Sequence, residues 1–202
     1  MKNIIKIILL LSLTLNCKAQ SPVFDIEDIP NIIKDIYGHY QKDTNNQLNA
    51  FEGNYIYANG NDTIQLVLQK KILSSMNNYY YEDLIIGEYK YVKNGIVKTN
   101  TLNKLNLSYT DQSNHSIDGN FLLTGTEKGC DDCLPNEKRL EVGIVDNNSN
   151  NTGYAHIRRI LVNGQQAIKF LIVWRMGYRS PSDLPPTYYS IPGGDFILIK
   201  QP

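Results

Sequence analysis

The stretch NAFEGNYIYANGNDTIQLVLQKK, residues 49–71, decides the fold. Phe51, Gly53, Tyr55 and Tyr57 share one face at a period of two, and Ile64, Leu66 and Leu68 share one face of the returning run. Between the runs, Asn59-Gly60 can take the positive φ of a type I′ turn, whose twist matches the strands it joins. The stretch therefore reads as a hairpin with one apolar face. It contains nothing reactive, so its role is scaffold.

Two more Asn-Gly pairs repeat the pattern. Asn94-Gly95 joins LIIGEYKYVK to GIVKTNTL, with Ile85, Gly87, Tyr89 and Tyr91 on one face and Glu88 and Lys90 on the other, as in a half-buried pair. Asn163-Gly164 joins AHIRRILV to QQAIKFLIVWR, where Ile168, Phe170, Ile172 and Trp174 alternate with Lys169, Leu171, Val173 and Arg175. Apolar residues on both sides of that last run predict a central strand. With NFLLTGTE, RLEVGIVD and DFILIKQ added, about eight or nine strands result. Helical spacing occurs once, at Ile32, Ile33, Ile36 and Tyr37 within residues 25–43, and predicts at most one short N-terminal helix. Consecutive hairpins without crossover helices make an all-β, antiparallel up-and-down meander that closes into a barrel or curves into packed layers.

The chain opens with Lys2 and Lys6 ahead of the apolar run Ile7–Leu15, too short to span a bilayer, so residues 1–19 read as a secretory signal peptide. Cleavage after Ala19 would start the mature chain at Gln20, whereas lipidation would place an anchor on Cys17, and Asn16 departs from the lipoprotein pattern. The predicted location is the periplasm, the outer-membrane surface or the exterior, with membrane attachment only through Cys17. Residues 20–202 carry no Ser/Pro-rich linker and read as a single β domain. Loss of three lysines takes Lys plus Arg from 20 to 17 against 20 acids, so the mature chain is about −3. With no concentrated basic face, nucleic acid is not an expected partner.

Two resemblances add to this reading. The run Phe51, Gly53, Tyr55 resembles the opening motif of lipocalin-like barrels, in which an aromatic residue closes the barrel floor, with Tyr55 standing where that motif has Trp. Tyr40 to Asp43, residues 51–55, the run DLIIGEYKYVKNG, Asn100 to Leu102 and the terminal ILIKQ together resemble a family of short exported Bacteroidetes proteins of unknown function. The leader, MKNIIKIILL with NCKAQ, is similar to those of flavobacterial exported proteins. The family resemblance implies an exported β domain and supplies no catalytic residues.

Catalytic chemistry finds little support. His39, His115 and His156 sit in separate settings and read as isolated surface residues, and Asp131-Asp132 and Glu82-Asp83 read as solvated charge. Of Arg158-Arg159, one is expected inward and one outward. Cys130 and Cys133, in GCDDCLP, predict a local disulfide, since export and an even count favour pairing and the acidic residues between them disfavour a reactive thiolate. No metal or cofactor is expected.

The expected function is a non-enzymatic binding module of the cell envelope. Six aromatics, Tyr55, Tyr57, Tyr89, Tyr91, Phe170 and Trp174, would converge inside a closed sheet and could hold a small apolar ligand or simply fill the core. The long loop 176–195 offers Tyr178, Arg179, Tyr188 and Tyr189 for recognition. The alternative is an interaction protein that presents a sheet face or this loop to an envelope protein or a glycan.

Overall fold

In the computed structural model, residues 22–28, 36–175 and 189–202 are described. Eleven strands among them form one sheet: β1 (Val23–Asp25), β2 (Tyr40–Lys42), β3 (Gly53–Asn59), β4 (Asp62–Met76), β5 (Tyr80–Lys93), β6 (Ile96–Asn100), β7 (Ile117–Thr124), β8 (Lys138–Asp146), β9 (Asn151–Val162), β10 (Gln165–Trp174) and β11 (Gly194–Lys200). Strands β3, β4, β5, β7, β8, β9, β10 and β11 close into an antiparallel barrel. β11 seals it against β3 through Ile199↔Ile56 and Lys200↔Tyr55, and β7 seals it against β5 through Ile85–Gly87. The all-β meander predicted from the hairpins is the observed fold.

Two of the three Asn-Gly turns have the predicted form. Asn94-Gly95 and Asn163-Gly164 have positive φ at both residues and lie between the closing pairs Lys93↔Ile96 and Val162↔Gln165. The first turn is shifted by one. Asn59 still pairs with Asp62, so the loop is Gly60-Asn61, with positive φ at Gly60 only. Glycine at the first central position is the type II′ arrangement, which suits the same strand twist.

Strand β5 organises one wall. Its edge away from β4 is shared among β2 at Tyr81 and Glu82, β7 at Ile85–Gly87 and β6 at Lys90–Lys93. The N-terminal region supplies the parallel pair β1–β2, and Ile32 and Ile33 of the expected short helix fall in residues 29–35, outside the described residues. Asp83 and Asp43 pin this region: Asp83 accepts from Tyr40 Oη (2.6 Å) and Asp43 N (3.0 Å), while Asp43 accepts from Leu48 N (2.9 Å) and Lys70 Nζ (2.7 Å). Glu82-Asp83 is thus buried and hydrogen-bonded, correcting the expectation of solvated charge.

An eight-stranded barrel is just wide enough for side chains to fill its interior. Here Ile64, Leu66, Ile85, Tyr89, Ile117, Leu140, Ile144, Ile157, Phe170 and Leu198 do so as one cluster. We call the two rims the Phe51 end and the Trp174 end. At the Phe51 end, a 3-10 turn at Leu48–Phe51 inserts Leu48 and Phe51 as a plug. At the Trp174 end, Ile191 enters the core and Asp146 accepts from the backbone and side chain of Ser190.

β5 is buried on both faces from Glu82 to Tyr89, not on one. Where β6 ends, Thr101 continues its pairing, its hydroxyl accepting from Tyr89 N and donating to Tyr89 O, both at 3.1 Å. Glu88, on the outer face, is fully covered by His115 and Ser116.

Candidate functional site

The same alternation that fills the core continues past it at the Phe51 end. Tyr55 on β3, Arg159 and Leu161 on β9, Gln166 and Ile168 on β10 and Lys200 on β11 all hold interior-facing register. The β9–β10 hairpin projects beyond Ala167↔Ile199, the last pairing with β11, so the inward rows pass from buried Tyr55 and Ile168 to exposed Arg159 and Leu161. Together with Ala50 they line a solvent-open mouth of about 570 Å³, within the ordinary range for ligand sites.

The floor is aromatic and its hydroxyl is committed. Tyr55 Oη donates to the carbonyls of Phe51 (2.9 Å) and Glu52 (3.2 Å). Burial pushes the Tyr55 phenol up to about 12, against a smaller opposing pull from Arg159. The Arg159 guanidinium lies 5.5 Å from the Phe51 ring centre, and Lys200 Nζ lies 5.9 Å from that of Tyr55. Gly53 makes room for this lysine: a Cβ there would come within 2.6 Å of Lys200 Cε, and its φ of +147° is one that other residues rarely adopt.

Neither cation has a carboxylate partner among the described residues, unlike Lys70 with Asp43 (2.7 Å), Lys128 with Glu141 (2.6 Å) or Arg158 with Asp132 (2.7 Å) and Glu137 (2.6 Å). The mouth therefore offers two positive charges, an amide at Gln166 and an apolar lining. Its lining among the described residues contains no histidine, thiol or carboxylate.

The structure brings the six predicted aromatics to one interior. Tyr55, Tyr89, Tyr91 and Phe170 belong to the core cluster, and Tyr57 and Trp174 pack against it. They meet fixed neighbours: Tyr57 meets Phe196 edge-on at 5.3 Å, Tyr89 Oη donates to Val145 O (3.1 Å), and Trp174 stacks on Tyr189 at 4.7 Å while its Nε1 donates to Ile191 O (3.1 Å). Tyr55 is the one that also reaches the mouth. Of the loop residues, Tyr189 serves the cap at the Trp174 end, and Tyr178, Arg179 and Tyr188 lie outside the described residues, as does Cys17. Cys130 and Cys133 form a disulfide in the β7–β8 loop, with Cα atoms 5.4 Å apart.

The three histidines are buried, at 1%, 1% and 7% exposure for His39, His115 and His156, which corrects the expectation of isolated surface residues. Two are paired with glutamate: His115 Nδ1 is 2.9 Å from Glu88 Oε1, and His156 Nε2 is 2.8 Å from Glu141 Oε2. Ser116 Oγ also donates to Glu88, at 2.5 Å. The carboxylate sits between histidine and serine, so His115 is not placed to take the Ser116 proton, and all three are buried. This is a structural knot, not a nucleophile with its base.

Arg159 and Lys200 were not singled out as site residues by sequence reasoning. The available signal was register: Arg159 is two residues past Ile157, and Lys200 two past Leu198, each continuing an inward-facing row. No curated protein and no solved structure matches the chain. A family model does match, over residues 1–201, and the chain belongs to that family, a family of unknown function (DUF6705).

Proposed function

We propose that the protein is an exported, non-catalytic binding module of the cell envelope and that its ligand seat is the mouth at the Phe51 end. The observation that carries this is the mouth itself: a concavity of about 570 Å³ lined mainly by inward-facing residues at the rim of an otherwise filled barrel. Export is supported by Lys2, Lys6 and the apolar run Ile7–Leu15, and by a disulfide of the kind that persists in oxidising compartments.

Two measurements test the reading. Mass spectrometry of the chain recovered from its native envelope should find a terminus at Gln20 or a diacylglyceryl group on Cys17, and an intact Met1 terminus would refute export. Titration with the neutral apolar probe N-phenyl-1-naphthylamine should show saturable binding that Ala50→Trp, which fills the mouth, abolishes. A wild-type protein that does not bind the probe saturably refutes the ligand seat. The interaction-protein reading draws on exposed Tyr37, Ile72 and Leu73 beside the β4–β5 hairpin. A stoichiometric partner retained by wild type and lost in Ile72→Asp would favour it.

A further inference from the structure

We propose that the mouth selects amphiphiles with an anionic head group, the head seated between Arg159 and Lys200 and the apolar part against Leu161, Ile168 and Tyr55. The proposal rests on the reading that the mouth is a ligand seat and adds the chemistry of the ligand. Two cations line one concavity and neither is neutralised by a carboxylate among the described residues, in a chain whose formal charge is zero overall. Like charges sharing a small concavity repel, and an anion placed between them removes that cost while gaining charge-assisted hydrogen bonds.

Both cations are placed rather than trailing. Each lies over an aromatic ring of the floor, and the Lys200 stem occupies the space that the missing Gly53 side chain leaves. The aromatic faces support the cations from below and leave N–H groups for a ligand. An inorganic anion alone would use the head subsite and leave the apolar lining wet, so a tail adds binding. A carboxylate and a phosphate monoester share the required chemistry.

The test is calorimetric titration, below the critical micelle concentrations, with dodecanoate, dodecyl phosphate, inorganic phosphate and the uncharged dodecyldimethylamine oxide at pH 8. At least one anionic amphiphile should bind one-to-one and at least tenfold tighter than the amine oxide and than inorganic phosphate. Arg159→Gln and Lys200→Gln, each shown by thermal melting to be folded, should each weaken it about tenfold while leaving amine oxide binding unchanged. Whichever of dodecanoate and dodecyl phosphate binds tighter identifies the head group. Equal binding of charged and uncharged amphiphiles, unaltered in both variants, overturns the head-group assignment and leaves the ligand seat standing. Inorganic phosphate binding as tightly as dodecyl phosphate overturns the tail. Failure of all four, together with failure of the naphthylamine probe, removes the seat itself.

Discussion

At the Trp174 end the chain closes its barrel with the segment that leads into β11: Ile191 drops into the core, Tyr189 stacks on Trp174, and Asp146 holds Ser190 by backbone and side chain. At the Phe51 end the closure comes from a short turn, Leu48–Phe51, that plugs the core but stops short of the projecting β9–β10 hairpin. One end spends its polar groups on itself. The other leaves Arg159 and Lys200 facing a mouth without acidic partners among the described residues. Within one closed sheet, what distinguishes a cap from a site is whether the inward-facing row runs out before its neighbours do.

The plug should carry more stability than the cap. Phe51→Ala removes a buried ring from the Phe51 end, and a loss of about 3–5 kcal/mol in urea-unfolding free energy is expected. Ile191→Ala at the Trp174 end removes a smaller buried side chain, with an expected loss of about 2–4 kcal/mol by the same measurement. A loss below about 1 kcal/mol for Ile191→Ala would mean that the segment before β11 only rests on the barrel.

Charge is also segregated at the Phe51 end, with cations facing in and Glu82 on the outer wall. Burial, opposed by the Asn120 hydrogen bond and reinforced by Asp118, Asp111 and Asp83, pushes the Glu82 carboxyl up from 4.5 to about 7. A carboxyl raised by folding binds its proton more tightly in the native state, so it opposes folding as pH rises from about 4.5 to 7 and adds no further penalty above that. Relative to Glu82→Gln, wild-type stability should therefore fall by about 2–3 kcal/mol across that window. A difference that stays flat with pH would show that the wall is wetter than the structure places it.

The smallest effect belongs to the Cys130–Cys133 disulfide in the β7–β8 loop, since a loop of sequence separation 3 removes little unfolded-chain entropy. Replacing both cysteines by alanine should cost about 1–2 kcal/mol. Native, unreduced protein should resist thiol alkylation at both positions, and full labelling would contradict the bond.

The barrel was legible because its signals are local. Asn94-Gly95 and Asn163-Gly164 fix two hairpins outright, and the alternation of Tyr55, Tyr89, Phe170 and Trp174 identifies the inward face without knowledge of closure. What escaped depends on long-range pairing. β1 and β2 are short strands flanking residues with helical spacing; β2 is held by β5, some 40 residues away, and β1 by β2. Glu88 reads as a solvent-facing alternation partner until His115 and Ser116 fold over it. The site escaped for a related reason: the sequence shows that Arg159 and Lys200 continue inward rows, but only the β9–β10 overhang shows that those rows end in open space.

The contrast between the ends can be read directly with one fluorophore at each. Titration with dodecyl phosphate should leave Trp174 emission of the wild type unchanged, because that ring is held by Tyr189 and Ile191 at the far end. In Leu161→Trp/Trp174→Phe, whose single tryptophan lines the mouth, the same titration should give a saturable blue shift. A saturating response from Trp174 with a silent tryptophan at position 161 would place the ligand at the capped end and contradict the account.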